Sequence, residues 1–337
     1  MLFFNLRLFN ADPLQKDSGT MIRRKLLLLI AATAIVVPAA SGQEDGEKHF
    51  RAVCSTTQVA DFTREIGGDR WQVDCVLAPG QDPHTYELKP SDSRLVAEAD
   101  ICIQNGWHLE GHDWMLNLAK DANKPLVTCV TGVKALDFDE DGTIVEDPHA
   151  WLSPINAAIY VRNITEGLKK IDPDNSGEYD ARADYYVTQL RSLHSWIQKE
   201  VNAIPRAKRI LISHHDAFQY FASTYGFQSA APAGWSTGAE VGAGITPQRR
   251  AKVVESIRSY KVKAIFVETA TNPEVVRQIA KDAGVKVAGA LYADSMGPKG
   301  SVAENYFGMM RENVIKIVGG LESVSYTHLT LPTNREV

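Results

Sequence analysis

The chain has 337 residues, 44% of them hydrophobic and 23% charged, with a formal net charge of -5 at pH 7. This is an ordinary globular balance, in a chain long enough for about two domains. The mildly acidic charge, without a basic stripe, argues against a nucleic-acid partner.

Residues 21–42 resemble an export signal, and residues 1–20 lie upstream of it. Basic residues at 23–25 precede an apolar segment at 26–37 that is too short to span a bilayer comfortably. Small residues at 39–42 would allow cleavage, so the mature chain is expected to begin near Gln43, and Met21 is the better start. An N-terminal membrane anchor is the alternative. Because no cysteine follows the apolar segment, we expect a periplasmic protein, exported by a cleavable signal peptide, without a lipoprotein cysteine.

From Phe50 onward, short apolar runs alternate with helix-length segments, which is typical of βα units and a parallel sheet. One helix is predicted to end at Gly67-Gly68, and Ser91 is the expected N-cap of the next. Residues 136–146 are predicted to be an acidic loop, either a weak cation-attracting flap or simply a solvated loop. The predicted strands of this half are Arg51–Cys54, Trp71–Leu77, Ile101–Gln104 and Leu126–Val130.

Two helices follow, the first over 156–171. The second, over 177–203, has apolar residues at steps of three and four, and at about 1.5 Å per residue it is near 40 Å long. It could connect both halves of the molecule or pack within one domain. A second α/β run then has strands predicted at 209–213, 228–231, 264–267 and 286–288, helices at 216–225, 302–321 and after Thr246 and Asn272, and a mobile glycine-rich loop at 234–244.

The tripeptide Asp-Pro-His occurs twice, ending at His84 and at His149. Proline fixes its own φ and restricts the residue before it, so each histidine leaves a stiff loop in a restricted direction. His84 follows a predicted strand, and open α/β sheets bind ligands at the carboxyl ends of their strands. Two such loops could supply half of a metal site.

The second half supplies further candidates after its strands. Neighbouring residues leaving a strand point in opposite directions, so only one of His214 and His215 should enter a cleft, and we favour His215. Asp294 follows the last strand. Three imidazoles, those of His84, His149 and His215, with the Asp294 carboxylate form a competent site for a divalent first-row metal.

Nearby acidic residues are interpreted as groups that orient these ligands: Asp82, Asp147, Asp216 and Glu268. Direct metal contact by Glu268 is the alternative. Three other histidines lack such a context and are expected at the surface or in packing: His108, His112 and His194. The four cysteines lie in apolar runs and match no Cys-x-x-Cys motif, so buried thiols are expected, with a disulfide as the alternative: Cys54, Cys75, Cys102 and Cys129.

An ordered set of motifs resembles the periplasmic metal-binding proteins of the zinc and manganese ABC-transporter family (cluster A-I solute-binding proteins). The matching stretches run through roughly residues 50–321: G-Q-D-P-H-T-Y-E-L-K-P-S-D, N-G-W-H-L-E, D-P-H-A-W-L-S-P, S-H-H-D-A-F-Q-Y-F-A-S-T-Y-G, I-F-V-E and L-Y-A-D-S-M-G. The resemblance implies two α/β lobes, each a mainly parallel sheet flanked by helices, bridged by one long rigid helix.

The resemblance also implies a function. One Zn²⁺ or Mn²⁺ ion per chain would be bound between the lobes by His84, His149, His215 and Asp294 and delivered to a membrane ABC permease driven by a cytoplasmic ATPase. A monomer is expected. Zinc importers of the family often have a histidine-rich loop where this chain has an acidic one, so the metal stays open.

The predicted division of the chain is residues 1–42 as upstream residues and signal peptide, 43–172 as the N-terminal lobe, 173–204 as the linking helix, 205–322 as the C-terminal lobe and 323–337 as an unmatched tail. A zinc-dependent metallohydrolase is the alternative function. A catalytic zinc keeps three protein ligands and an open position, whereas four ligands close a tetrahedral site. The chain also lacks an H-E-x-x-H motif, so we predict that it is not an enzyme.

Overall fold

The computed structural model describes residues 49–140, 143–213, 215–232, 246–269 and 273–325. Within these ranges, helices flank mainly parallel sheets, which confirms the predicted fold class. The predictions for the signal peptide, His214, the glycine-rich stretch and the end of the tail concern residues outside them.

The first half contains a four-stranded parallel sheet with strand order β2-β1-β3-β4. Each predicted strand is present, with ends shifted by at most two residues. The strands are β1 (Phe50–Cys54), β2 (Trp71–Cys75), β3 (Ile101–Gln104) and β4 (Leu126–Thr128). The helices between them are α1 (Thr57–Gly67), α2 (Pro90–Ala97) and α3 (Trp114–Asp121).

The ends of α1 and α2 follow from local chemistry. Helix α1 ends where predicted, because Gly68 adopts a φ of 58° that a residue with a Cβ rarely adopts. Helix α2 begins at Pro90, whose missing N–H and fixed φ suit the first helical position. The Asp92 carboxylate accepts the Lys89 N–H at 2.8 Å. The prediction that Ser91 caps this helix is therefore wrong by two residues.

The acidic segment is a β-hairpin rather than the predicted loop. Strands β5 (Asp137–Glu140) and β6 (Thr143–Glu146) pair antiparallel. The Asp147 N–H donates to the Leu136 carbonyl at 2.9 Å and closes the base of the hairpin. Strand propensity depends strongly on context, so an acidic composition did not exclude strands here.

In the second half, strands pair in parallel as β7 with β8 and β9 with β10. Two helices begin three and four residues later than predicted, α6 and α9, because turns precede them. The strands are β7 (Ile210–Ile212), β8 (Gln228–Ala230), β9 (Ala264–Glu268) and β10 (Lys286–Leu291). The helices are α6 (Gln219–Tyr225), α7 (Pro247–Ser259), α8 (Pro273–Ala283) and α9 (Tyr306–Ser325).

Helices α4 (Pro154–Ile171) and α5 (Ser176–Val201) connect the two halves. Helix α5 has 26 residues, about 39 Å at the rise of an α-helix. It packs against α1 and α4 from the first half and against α9 from the second. The alternative of a helix packed within one domain does not fit these contacts. In the part of the chain that the structure describes, no helix combines the length and apolar character needed to cross a bilayer.

An aromatic cluster holds these helices together at the centre of the core. The Phe62 ring of α1 meets the rings of Tyr160, Tyr186 and Tyr306 edge-on, at centroid distances of 6.2, 6.0 and 4.8 Å. These partners come from α4, α5 and α9. Such pairs contribute about 0.5–1.5 kcal/mol each beyond their burial. The cluster therefore links both halves behind the strand ends.

The four cysteines are free thiols. Cys54 and Cys75 lie opposite each other on β1 and β2. Cys54 and Cys102 are buried, and Cys75 is half-buried. Burial raises the pKa of the Cys75 thiol to about 12 and that of Cys102 to about 11. Since the thiolate is the reactive species, these side chains act as small apolar groups at neutral pH.

A buried polar network fixes the turn between α4 and α5. The Asp172 carboxylate accepts from Arg70 Nε at 3.1 Å and from the Tyr179 hydroxyl at 2.6 Å, and Trp71 Nε1 donates to that hydroxyl at 2.9 Å. Burial alone would raise the pKa of Asp172, but the donors of Tyr179, Asn175 and Arg70 outweigh it and hold this pKa below its usual value.

The substitution Asp172→Ala is expected to lower the free energy of unfolding by about 3 kcal/mol, because it removes the acceptor of the buried Tyr179 hydroxyl and the carboxylate that pairs with Arg70 Nε. The lowered pKa means that this contribution is complete above the unfolded pKa of about 4 and is lost as the pH falls through the folded pKa. Urea unfolding at pH 7 and pH 3 measures both effects. Asp184→Ala, which breaks the exposed Arg162–Asp184 pair, is the matched control and should change little. Equal unfolding midpoints for the two variants would contradict the prediction.

Candidate metal centre

The four side chains expected from the sequence lie in one cluster. One nitrogen or oxygen atom of each of His84, His149, His215 and Asp294 lies within 4.8 Å of those of the other three. His149 Nε2 is central, at 3.3 Å from His84 Nε2, 3.2 Å from His215 Nε2 and 3.4 Å from Asp294 Oδ1.

These spacings fit a tetrahedral ion. Two ligand atoms bound to one tetrahedral ion at 2.0–2.1 Å are separated by about 3.3–3.4 Å. The separations from His149 Nε2 agree with this value, whereas His84 Nε2 and Asp294 Oδ2 are 3.9 Å apart. The arrangement therefore matches a site for one metal ion, with His84 slightly open.

The loops that carry the four side chains come from different elements. His84 follows β2, His215 follows β7 and Asp294 follows β10, all at carboxyl ends of parallel strands. His149 differs from the other three, because the strand before it, β6, belongs to the antiparallel hairpin.

Asp147 orients His149. Its Oδ1 atom accepts the His149 backbone N–H at 2.9 Å and Nδ1–H at 2.7 Å. With the proton on Nδ1, the lone pair of Nε2 faces the cluster. Burial alone would lower the pKa of His149, but the carboxylates of Asp147 and Asp294 raise it to about 10. The ring thus lies in a strongly negative environment that favours a bound cation.

Glu268 has the same role for His215. Its Oε1 atom accepts the His215 backbone N–H at 3.1 Å and Nδ1–H at 2.7 Å. Burial alone would lower the pKa of His215, but the negative charges of Glu268 and Asp294 outweigh the effect of burial, so this pKa is raised. The predicted orienting role of Glu268 agrees with this geometry, since Oε1 lies on the far side of the ring from Nε2.

The two Asp-Pro-His motifs are used differently. Asp82 accepts the His84 backbone N–H at 2.8 Å and the Thr85 hydroxyl at 2.9 Å, and so it fixes the loop rather than the ring. Burial and the neighbouring His149 and His215 rings outweigh the attraction of Asp294 and lower the pKa of His84 to about 4. His84 is therefore neutral at physiological pH, with a lone pair available for a metal.

Asp294 completes the cluster with a buried carboxylate whose Oδ1 atom lies 3.4 Å from His149 Nε2. Its Oδ1 atom is buried and has no hydrogen-bond partner in the described ranges. Burial raises the pKa of its carboxyl, but the charges of His215 and His149 hold it well below its usual range. A buried carboxylate oxygen without a donor, surrounded by imidazole nitrogens, is a site for a cation.

The loop that carries Asp294 is bound to residues of the first half. The Ala293 carbonyl accepts from Gln58 Nε2 at 3.1 Å and from Trp151 Nε1 at 3.2 Å. Sequence reasoning missed both donors, because they lie 235 and 142 residues away along the chain. The sequence gave one local indication of these donors, because Trp151 lies two residues after His149 in the D-P-H-A-W motif.

The remaining polar candidates lie outside the cluster. His108 and His112 are exposed, and the half-buried His194 lies 3.1 Å from the Tyr225 hydroxyl. Asp216, expected to orient a ligand, accepts from Gln219 Nε2 at 3.0 Å. Its other carboxylate oxygen has no hydrogen-bond partner among the residues described.

Comparisons with known proteins find relatives that are named for metal binding or metal uptake. The family model described as "ZnuA: Zinc-uptake complex component A periplasmic" matches residues 52–320. The manganese ABC transporter substrate-binding lipoprotein PsaA of Streptococcus pneumoniae is 32% identical over 308 residues, 88% of this chain and 97% of that protein. The manganese-binding lipoprotein MntA of Halalkalibacterium halodurans is 35% identical over 280 residues, covering 82% and 90%.

Solved structures that resemble this chain are also those of metal-binding proteins. The periplasmic zinc-binding protein TroA of Treponema pallidum superposes with a TM-score of 0.73 at 26% identity, covering 81% of this chain and 99% of that one. A manganese-bound periplasmic metal-binding protein from Candidatus Liberibacter asiaticus gives 0.70 at 26% identity and the same coverage. A cadmium-bound form of a protein with that description also gives 0.70.

The relatives correct one expectation. They are named as lipoproteins, which contradicts the prediction of a periplasmic protein without a lipoprotein cysteine. The prediction was wrong because it relied on one short stretch after the apolar segment. Lipid attachment is a processing step, and neither hydropathy nor packing of the folded chain reports it. The extracytoplasmic location is supported.

Proposed function

Because the chain belongs to the family of periplasmic zinc-uptake component A proteins, we propose that it is the substrate-binding protein of a metal ABC transporter. It captures Zn²⁺ or Mn²⁺ between its two halves and delivers the ion to a permease. The observation that carries the proposal is the convergence of three imidazoles and one carboxylate within 4.8 Å of one another, with the separations from His149 Nε2 at tetrahedral values.

We assign His84, His149, His215 and Asp294 as the ligands of a single ion. Two come from the N-terminal half and two from the C-terminal half, which supports lobes at residues 43–172 and 205–322 joined by 173–204. Asp147 and Glu268 hold two of the imidazoles in the tautomer that a metal requires. The four donor groups are three imidazoles and one carboxylate, a set that suits a first-row divalent ion.

The transport partners are a permease in the membrane and its cytoplasmic ATPase. Relatives named as ABC transporter substrate-binding proteins support this assignment. We propose that the protein acts as a monomer, because its ligands all come from one chain. The ion is cargo, so the site must both bind and release it.

The four-ligand geometry does not favour the alternative of a metallohydrolase. A catalytic zinc keeps one coordination position for water. Here four protein donors surround the site, and the carboxylates of Asp147 and Glu268 are hydrogen bonded to ligand rings. We therefore propose binding without catalysis, which a panel of ester, peptide and phosphate substrates can test on the zinc-loaded protein.

Metal-free protein is expected to bind one divalent ion per chain. Isothermal titration with Zn²⁺ and with Mn²⁺ measures the stoichiometry, and elemental analysis of protein from its native compartment identifies the cargo. His108→Ala, which alters an exposed histidine outside the cluster, is the matched control and should bind as wild type does. A wild-type protein that binds neither ion stoichiometrically would exclude the proposed function.

A further inference from the structure

Both Asp-Pro-His loops are hydrogen bonded to one short segment between β3 and α3. The Pro83 carbonyl accepts from the Gly111 N–H at 3.3 Å and from Trp114 Nε1 at 3.1 Å. The Pro148 carbonyl accepts from Asn105 Nδ2 at 3.0 Å. Each of these carbonyls belongs to the residue directly before a candidate ligand. We call residues 105–114 the bracket.

The buried carboxylate of Glu110, near the end of the bracket, is hydrogen bonded to backbone N–H groups at its start. Glu110 is 2% exposed. Its Oε1 atom accepts from the Asn105 N–H at 2.8 Å and the Ser55 hydroxyl at 2.6 Å, and its Oε2 atom accepts from the Gly106 N–H at 3.1 Å. Burial raises the pKa of the Glu110 carboxyl, and the donors of Ser55, Asn105 and Gly106 partly offset this effect by favouring the charged form. Through Ser55, the bracket is also fixed to the end of β1.

The amide of Asn105 is fixed in orientation. The Tyr160 hydroxyl donates to its Oδ1 atom at 2.6 Å, while its Nδ2 atom donates to the carbonyls of Gly106 and Pro148. With its acceptor and both donors engaged, the side chain has a single arrangement that satisfies every partner. The position of Pro148 is therefore determined by the bracket and by α4.

Gly111 permits the close approach of the other loop. A Cβ atom at this position would lie 1.9 Å from the His84 carbonyl oxygen, which is a backbone atom and cannot move away cheaply. A contact below 3.0 Å requires one of the two segments to shift. The loop of His84 and the bracket thus fit together only with glycine at 111.

We propose that the bracket sets the separation of His84 and His149 before the metal arrives, with Asn105 and Glu110 as positioning residues. This inference rests on the proposed function. The two imidazole nitrogens lie 3.3 Å apart. Hydrogen bonds to the backbone carbonyl of the residue before each histidine hold the two loops at this separation. Preorganised ligands lose less conformational entropy on binding, which strengthens binding.

The test is Asn105→Ala against a matched control, Asn163→Ala. Asn163 Nδ2 also donates to two backbone carbonyls, those of Cys129 at 2.7 Å and Thr131 at 2.9 Å, but that loop carries no ligand. We expect Asn105→Ala to lower Zn²⁺ affinity by about 10- to 100-fold, the range for groups that support a ligand. Asn163→Ala should retain the wild-type affinity. It loses two side-chain hydrogen bonds to backbone carbonyls, and Asn105→Ala loses the same number together with the bond from the Tyr160 hydroxyl.

A spectroscopic measurement separates positioning from general destabilisation. The visible absorption of the Co²⁺-loaded protein reports ligand geometry, and it should change in Asn105→Ala and stay unchanged in Asn163→Ala. Trp114→Phe removes only the donor to Pro83 and keeps an aromatic ring, so it serves if Asn105→Ala does not fold. It should alter the same spectrum and weaken Zn²⁺ binding.

The outcomes separate this inference from the function on which it rests. A wild-type protein that fails to bind metal rejects the proposed function. If the wild-type protein binds metal and a folded bracket variant keeps the same affinity and the same Co²⁺ spectrum, the positioning role of the bracket is rejected and the proposed function stands. An equal loss of affinity in Asn105→Ala and Asn163→Ala would also reject it, because the effect would then be a general loss of stability.

Discussion

His149→Ala is expected to reduce Zn²⁺ affinity by about 100- to 1000-fold. Protein sites with four ligands bind zinc with about 10–16 kcal/mol, so one ligand of four accounts for about 2.5–4 kcal/mol, at 1.4 kcal/mol per tenfold change. His149 should have the largest effect, because its Nε2 atom lies 3.2–3.4 Å from a ligand atom of each of the other three residues.

Competition with a chromophoric chelator measures this loss. The variant also leaves the buried Asp147 carboxylate without its imidazole donor, so thermal unfolding of the metal-free protein must confirm that it is folded. His194→Ala, which removes a half-buried histidine outside the cluster, is the control and should keep wild-type affinity. Wild-type affinity in folded His149→Ala would mean that the ion binds elsewhere.

Wild-type protein is expected to bind Zn²⁺ more tightly than Mn²⁺ at equilibrium. Three imidazoles with one carboxylate favour zinc over the harder manganese ion, and zinc also stands above manganese in intrinsic affinity. Cellular cargo is a separate matter, because availability and geometry decide it. Relatives named for manganese and a structural relative named for zinc both share this fold.

Replacing one imidazole with a carboxylate should reduce the difference between the affinities for Zn²⁺ and Mn²⁺. At His215 the structure adds a requirement, because Glu268 accepts a hydrogen bond from this ring at 2.7 Å. A glutamate there would face a like charge, so the substitution His215→Glu is best combined with Glu268→Gln. Glu268→Gln alone is the matched control.

Competition titrations with both ions on the wild type, the double variant and the control decide the matter. The ratio of Zn²⁺ to Mn²⁺ affinity should fall in the double variant and change less in the control. Tighter binding of Mn²⁺ by the wild-type protein would show that the donor set contains more oxygen than these four residues supply.

Local patterns were sufficient to predict most elements. The strands of the first sheet were predicted from apolar runs such as 101–104, which β3 matches in both ends. Errors occurred where local signals compete. Pro90 starts α2 ahead of Ser91, and the segments Asp137–Glu140 and Thr143–Glu146 pair as strands although acidic residues are depleted in strands.

The sequence by itself determined most of the elements, the order of the loops and the four residues that could bind a metal. These follow from periodicity, proline geometry and side-chain chemistry, which act over a few residues. The sequence predicted no difference between the two Asp-Pro-His repeats. In the structure, Asp147 orients the His149 ring, whereas Asp82 binds the backbone N–H of His84.

Only the tertiary structure decided which groups hold the ligands. Glu268 reaches His215 across 53 residues, Asn105 reaches Pro148 across 43, and Gln58 reaches the carbonyl before Asp294 across 235. Contacts at such separations leave no local pattern in one sequence. They depend on which strand ends and helices the packed core brings together, because hydrophobic burial is non-directional and the hydrogen bonds then select among the arrangements it allows.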